Sequence, residues 1–225
     1  MTFEITFDLI ERLRQESIGD PQWMPLTHTY EYMEHSAKVV AVLKLVRAAH
    51  GVAALELLRL NGLFIDLGMI TRGVLDSVEE IYFLLEQYPI TSKHVDQFVT
   101  AFFESNINGY LSAATNDVLR KRIRSARVRC LKGAHDQSTQ DLLERIFKTF
   151  SGYVHAKYAH VMEVYGGAPS FNLTGVPSAA ERLKRSEHVV LQANSVIHAA
   201  LFAAQKLRLP GLERDIQSVV RENLQ

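Results

Sequence analysis

Cysteine occurs once in this chain, at Cys130, which leaves no internal disulfide and no cysteine-based zinc site. Net charge is missing as well, since 25 Lys plus Arg stand against 25 Asp plus Glu. No global field therefore draws the chain to nucleic acid or to an anionic membrane, and any such attraction has to be local. No apolar run reaches the roughly 18 uncharged residues that a membrane span needs. Lys44, Arg47, Glu56 and Asp66 interrupt the most hydrophobic stretch. The opening MTFEITFDLIERLRQ carries acids where a signal peptide has basic residues and a continuous apolar run. A cytoplasmic location without membrane contact is the expectation.

Catalytic signatures are equally scarce. The sequence has no Gly-rich phosphate loop ending in Gly-Lys-Ser/Thr, no dinucleotide fingerprint and no Gly-x-Ser-x-Gly elbow. A di-iron helical bundle needs Glu-x-x-His pairs, yet no histidine here has an acid three residues before it, and no His-x-x-x-His pair occurs. No metal site and no cofactor are expected.

What is present is helix. The 225 residues are 47% hydrophobic and 22% charged, an ordinary globular profile with enough chain for one full core. A short amphipathic helix, an N-terminal arm over residues 1–20, ends at Gly19-Asp20-Pro21. The periodicity then predicts a long helix from about Thr27 to Leu60, stopped by Asn61-Gly62, and another from Leu63 to about Gln87, stopped by Tyr88-Pro89. Further helices are expected to about Ala114, over Val118–Leu131, and from Asp136 or Ser138 to Gly166-Gly167. Residues 166–178 read as the one long loop, followed by a long helix Ala179–Leu209 and a terminal helix over 211–225. No stretch shows convincing period-two alternation. The expected fold is all-α, a single-domain bundle of about seven or eight helices with two or three long core helices.

Four constellations carry the functional argument. The segment SGYVHAKYAH, Ser151–His160, sets titratable groups in what reads as a core-facing helix, where they are costly unless bonded or used. On one helix, Ser151, His155 and Tyr158 share a flank beside the apolar stripe of Phe147, Phe150 and Val154. His155 is then either a general acid/base or anion-binding group with Tyr153, Lys157 or Tyr158 nearby, or a core histidine tied to an acid. The second constellation is Arg72 with Asp76, Glu79 and Glu80, on a helix that also holds Gly68 and Gly73. Each interior glycine costs about 1 kcal/mol of helix propensity, so close packing or a polar cluster should gain from it. Arg72 either pairs with Asp76 at i,i+4 or joins His155 and an acid across helices.

The third is the basic run RKRIRSARVRCLKG, with Arg120, Arg122, Arg124, Arg127 and Arg129 and no acid among them. It fits phosphate contacts along RNA, or charge neutralised by the acids of a neighbouring helix; without interleaved aromatics, base stacking is not indicated. Cys130 within it is reactive if its pKa is lowered by Arg129 and Lys132, and inert if buried. The fourth, His28, Glu31 and His35, puts three candidate ligands on one face of the second helix. The i,i+7 spacing chelates poorly, and the segment reads better as a polar helix start or partner surface.

The run AALELLRLNGLFIDLGMITRGVLDSVEEIYFLLEQ, followed by FSGYVHAKYAH, resembles bacterial helical domains related to the HEPN superfamily over roughly residues 36–165. Those domains share an Arg-containing helix ending in an acid, here Arg72 with Glu79 or Glu80, and a later Ser…Val-His segment, here Ser151, Val154 and His155. HEPN ribonucleases carry Arg, four to six residues, then His, usually with a polar residue after the Arg. Arg129–His135 and Arg182–His188 match the spacing but have Cys130 and Leu183 in the polar place. The resemblance thus implies the fold and an Arg72–His155 site, and leaves catalysis open. Two functions are expected from it and from the residues. One is binding of a nucleotide, RNA or another anionic ligand through an Arg/His cluster. The other is a non-catalytic, homodimeric interaction domain whose histidine is structural.

Overall fold

Residues 3–26, 28–107, 118–166 and 170–222 are described in the computed structural model of the protein. Helix dominates: α1 (Phe3–Ile18), α2 (Ala37–Leu60), α3 (Phe64–Leu85), α4 (Lys93–Ile107), α5 (Arg120–Lys132), α6 (Gln137–Val154), α7 (Tyr158–Val161), α8 (Ala179–Lys184), α9 (Ser186–Lys206) and α10 (Pro210–Glu222). Among the described residues the fold is all-α apart from one small antiparallel hairpin, β1 (Gln22–Met24) with β2 (Thr29–Glu31), in which Trp23 faces Tyr30. Among the described residues no helix is long and apolar enough to cross a membrane.

The long α2 and α3 form the spine. Gly62, at φ +71, turns the chain between them, and the cap is closed by bonds from its N–H to the Arg59 carbonyl and from Leu63 N–H to the Leu58 carbonyl. Leu45, Leu55, Leu67, Val78 and Ile81 of this pair are all but fully buried. Helix α9 packs across both, α1 and α10 cover one side, and α5 and α6 cover α3 on another. Small residues on α9, among them Ala193, Ala199, Ala200 and Ala203, are buried and permit this close approach.

Several boundaries differ from the sequence expectation, for identifiable reasons. The second helix starts at Ala37, not near residue 27, because Ser36 caps it by accepting from Val39 N–H and the residues before it form the hairpin. His28 therefore sits in the hairpin turn at φ +52, Glu31 ends β2, and His35 stacks on Phe103 with centroids 3.9 Å apart, so the three share no helix face. Among the described residues no group of His, Cys, Asp and Glu is placed to hold a metal. The expected helix Ala179–Leu209 is divided at Arg185 into α8 and α9. The part of the fourth helix expected beyond Ile107, to about Ala114, lies outside the described residues.

The largest departure is in SGYVHAKYAH. Helix α6 ends at Val154 and Ala156 takes the left-handed conformation, φ +46. Ala156 N–H bonds the Tyr153 carbonyl (3.1 Å) and Lys157 N–H the Gly152 carbonyl (2.9 Å), a left-handed C-cap usually made by glycine. The short α7 then runs in a new direction, so Ser151, His155 and Tyr158 do not share one flank.

Candidate functional site

The second and third constellations converge. Arg72, Asp76, Glu79 and Glu80 recur every three to four residues along α3, and Arg120, Arg124 and Arg127 do so along α5, so the two packed helices oppose acids to bases. Glu79 and Glu80 are buried. Arg124 Nε donates to Glu79 Oε1 at 3.1 Å, both groups being about 95% shielded or more. Glu80 holds Lys44 of α2 and Arg120, each at 2.7 Å, and Arg120 also reaches Asp76 at 3.3 Å. Arg72 pairs with Asp76 on its own helix, and its guanidinium lies 3.5 Å from the Phe147 ring centroid, with that of Arg124 4.3 Å from the same ring. Arg129 binds Glu86, just past α3, through two bonds of 2.5 and 2.8 Å.

Three of the seven basic residues of α5, Arg120, Arg124 and Arg129, are thus paired with acids within the molecule. Burial pushes the Glu79 carboxyl above the usual range, although Arg124 pulls the other way, and burial draws Arg127 below its ordinary value. Arg122, Lys121 and Lys132 remain exposed. Cys130, half-buried, has its thiol pushed up to about 11 by burial and then by Glu86, so it is protonated and unreactive near neutrality.

The first constellation separates. Val154, His155 and Tyr158 are exposed, and Ser151 is partly buried with its carbonyl accepting from His155 N–H. Arg72 meets α6 at Phe147, eight residues before His155, which is about 12 Å of helix rise. Arg72 and His155 are therefore not brought into one cluster. Tyr153 alone turns inward, and its ring lies where Gly68 of α3 has no side chain, so a Cβ on Gly68 would fall inside it. That contact explains the interior glycine. Gly73, by contrast, has only the Arg47 head group nearby, and its presence is not explained by packing.

Around Tyr153 the structure assembles a polar site that spacing did not reveal. Its hydroxyl donates to Glu163 Oε1 at 2.7 Å, and Arg185 Nη2 donates to Glu163 Oε2 at 2.6 Å. Arg185 Nη1 lies 3.4 Å from the same hydroxyl, and its guanidinium stands 5.1 Å from the Phe64 ring centroid. His160 packs edge-on against Tyr153 (4.1 Å) and fills the space over Gly152. His160 and His188 each keep a buried Nδ1 without a hydrogen-bond partner. Burial, then the Arg185 charge, hold His188 below its ordinary pKa, while burial and the bond to Glu163 raise that of the Tyr153 phenol. For Arg185, burial opposes the charged form, but the Tyr153 and Glu163 bonds prevail and its pKa is raised.

Arg185 faces a cleft of about 420 Å³ that is lined also by Phe64, Tyr165, Asn172, Val176 and Pro177. Its wall is the 170–178 segment, docked on the α2–α3 turn by Val176 N–H to the Gly62 carbonyl (2.9 Å). Gly175, at φ +108, sits so close to the Asn61 carbonyl that no side chain fits there. The cleft residues come from four separate parts of the chain, and the sequence signals were the polar loop itself and the packing glycines. Comparison with protein-family models, curated proteins and solved structures returns no match.

Proposed function

We propose that this protein is a HEPN-like helical module that binds a small anionic ligand through an Arg/His cluster, in which Arg185 lines the cleft and Tyr153, His160 and His188 lie around it, outside the cleft lining. The observation that supports this reading is the saturation pattern at the cleft. Both Glu163 oxygens are taken, by Tyr153 and by Arg185, whereas a guanidinium has five N–H donors and Arg185 commits one firmly. Glu163 therefore orients Arg185 and leaves donors for an incoming anion. One guanidinium with Phe64, Tyr165, Val176 and Pro177 beside it, and the Glu163 and Glu181 carboxylates also in the lining, suits a monocarboxylate with an apolar body better than a polyanion. The cleft volume falls in the range of roughly 300–1,000 Å³ typical of small-molecule sites.

The test is calorimetric titration with benzoate, octanoate, AMP and a short oligouridylate against wild-type protein, Arg185→Met and Arg72→Ala. A carboxylate that binds wild type and Arg72→Ala but loses at least tenfold in Arg185→Met supports the reading. Oligouridylate binding that survives Arg185→Met would sink it and return the anion site to α5.

A second reading rests on a separate surface. Leu57 and Leu60 at the end of α2 and Leu183 on α8 are each more than half exposed, and Arg59 brings the two helices together by donating to the Arg182 carbonyl (3.4 Å). That face suits a homodimer. Light scattering of Leu57→Lys/Leu183→Lys against wild type checks it, with a wild-type monomer ending the idea.

A further inference from the structure

A second set of polar groups, which the cleft does not use, lies where α5 meets α3. Arg124 and Arg127 are 4% and 9% exposed. A guanidinium does not shed its proton inside a protein, so a buried one has to be compensated where it stands. Glu79 gives one oxygen to Arg124 and keeps Oε2 unbonded. Arg124 Nη2 and Arg127 Nε and Nη1 are likewise buried and unbonded. Among the described residues Arg127 forms no ion pair with a carboxylate: Glu79 acts on its charge from a distance, and the Tyr82 ring centroid is 6.0 Å away. The neighbouring acids are committed elsewhere, Asp76 to Arg72 and Arg120, Glu80 to Lys44 and Arg120, Glu86 to Arg129, and the more exposed Glu144 to Lys148. Among the described residues the cluster sets five cations, Lys44, Arg72, Arg120, Arg124 and Arg127, against three carboxylates, Asp76, Glu79 and Glu80.

The unused groups define a ligand chemistry. Three N–H donors on two cations call for an anion. The single free acceptor, Glu79 Oε2, repels a bare halide but accepts from an O–H. An oxyanion that keeps one proton near neutral pH meets both demands, and hydrogencarbonate and hydrogenphosphate are of this kind. We infer that Arg124, Arg127 and Glu79 form a second binding site, distinct from the Arg185 cleft, for a small protonated oxyanion. Its bare oxygens accept from Arg124 and Arg127, its O–H donates to Glu79, and the bound ion ties α5 to α3. The inference does not depend on the cleft being a ligand site.

The experiment is thermal unfolding of wild type, Arg127→Met and the exposed control Arg122→Met in hydrogencarbonate, phosphate, chloride or nitrate. Ionic strength is held constant. Expected is a saturable rise in Tm with hydrogencarbonate or phosphate, whichever is the ligand, in wild type and Arg122→Met only. Chloride and nitrate, which carry no O–H, leave Tm unchanged. An equal response to all four anions, no response to any, or a response kept by Arg127→Met overturns the site; no response means that waters satisfy these groups. Should Arg127→Met not fold, NMR line broadening of ¹³C-hydrogencarbonate and of phosphate by wild-type protein decides, and unbroadened lines in both overturn the proposal.

Discussion

At Ala156 an L-residue holds a conformation that glycine adopts at no steric cost. A left-handed backbone costs a non-glycine residue roughly 1–2 kcal/mol, offset by glycine's greater freedom in the unfolded chain. Both hydrogen bonds of the cap are main-chain and survive substitution, so Ala156→Gly is expected to stabilise the protein by about 0.5–1 kcal/mol in urea unfolding. Gly68 is the opposite case, with negative-φ helical backbone and no room. Gly68→Ala drives a methyl into the Tyr153 ring and should cost about 1–3 kcal/mol despite alanine's better helix propensity. A neutral or stabilising result would show that Tyr153 can withdraw without loss.

Tyr82 gives a pH signature at the same scale. Burial pushes its phenol up to about 12 from an ordinary 10. The folded state thus favours the neutral phenol, and this contribution is whole below pH 10 and is lost as pH rises through about 12. It amounts to roughly 2–3 kcal/mol. Tyr82→Phe, which cannot ionise, should flatten the fall in stability between pH 10 and 12 that wild type shows; parallel curves for the two proteins would remove Tyr82 from the alkaline limb.

Among elements, the α3–α5 pairing dominates. Removing one partner of a buried ion pair strands the other, at about 3–5 kcal/mol, whereas replacing both by apolar groups is often near neutral. Arg124→Met alone is therefore expected to destabilise strongly, and Glu79→Leu/Arg124→Met to recover most of the loss. A double variant as unstable as the sum of its singles would mean that the two residues do not act on each other. This pairing was half legible. The spacing of Arg72, Asp76, Glu79 and Glu80 on one helix and of Arg120, Arg124 and Arg127 on another is visible in the sequence, because helical period and charge sign are local properties. Which helix neutralises which is a tertiary fact. The end of α6 was not legible for a different reason: Ala156 carries none of the Gly or Pro signals that mark helix ends, while Gly62, making the same kind of cap, marked the end of α2. The cleft was least legible, since Tyr153, Glu163 and Arg185 meet only through the packing of α3, α6 and α9, and the left-handed turn at Ala156 is what takes Tyr158 off the flank of Ser151 and His155.

For the whole molecule the question is how much positive charge is left to meet a polyanion. Net charge is zero, and of the seven basic residues in α5, Arg120, Arg124 and Arg129 are paired with acids on or just past α3, while Arg127 is buried. Lys121, Arg122 and Lys132 remain at the surface. Each phosphate neutralised on a single strand adds about 0.7 to the salt slope, so three contacts give a slope near −2, and seven give about −5. Between 50 and 200 mM salt the first loses roughly 20-fold in affinity and the second close to a thousandfold. Fluorescence anisotropy with a labelled oligouridylate over that range should therefore show weak binding with the shallow slope. A slope near −5 would require the α3–α5 ion pairs to open onto the RNA, which would turn this internal network into the binding surface and make Glu79 and Glu80 competitors of the phosphates.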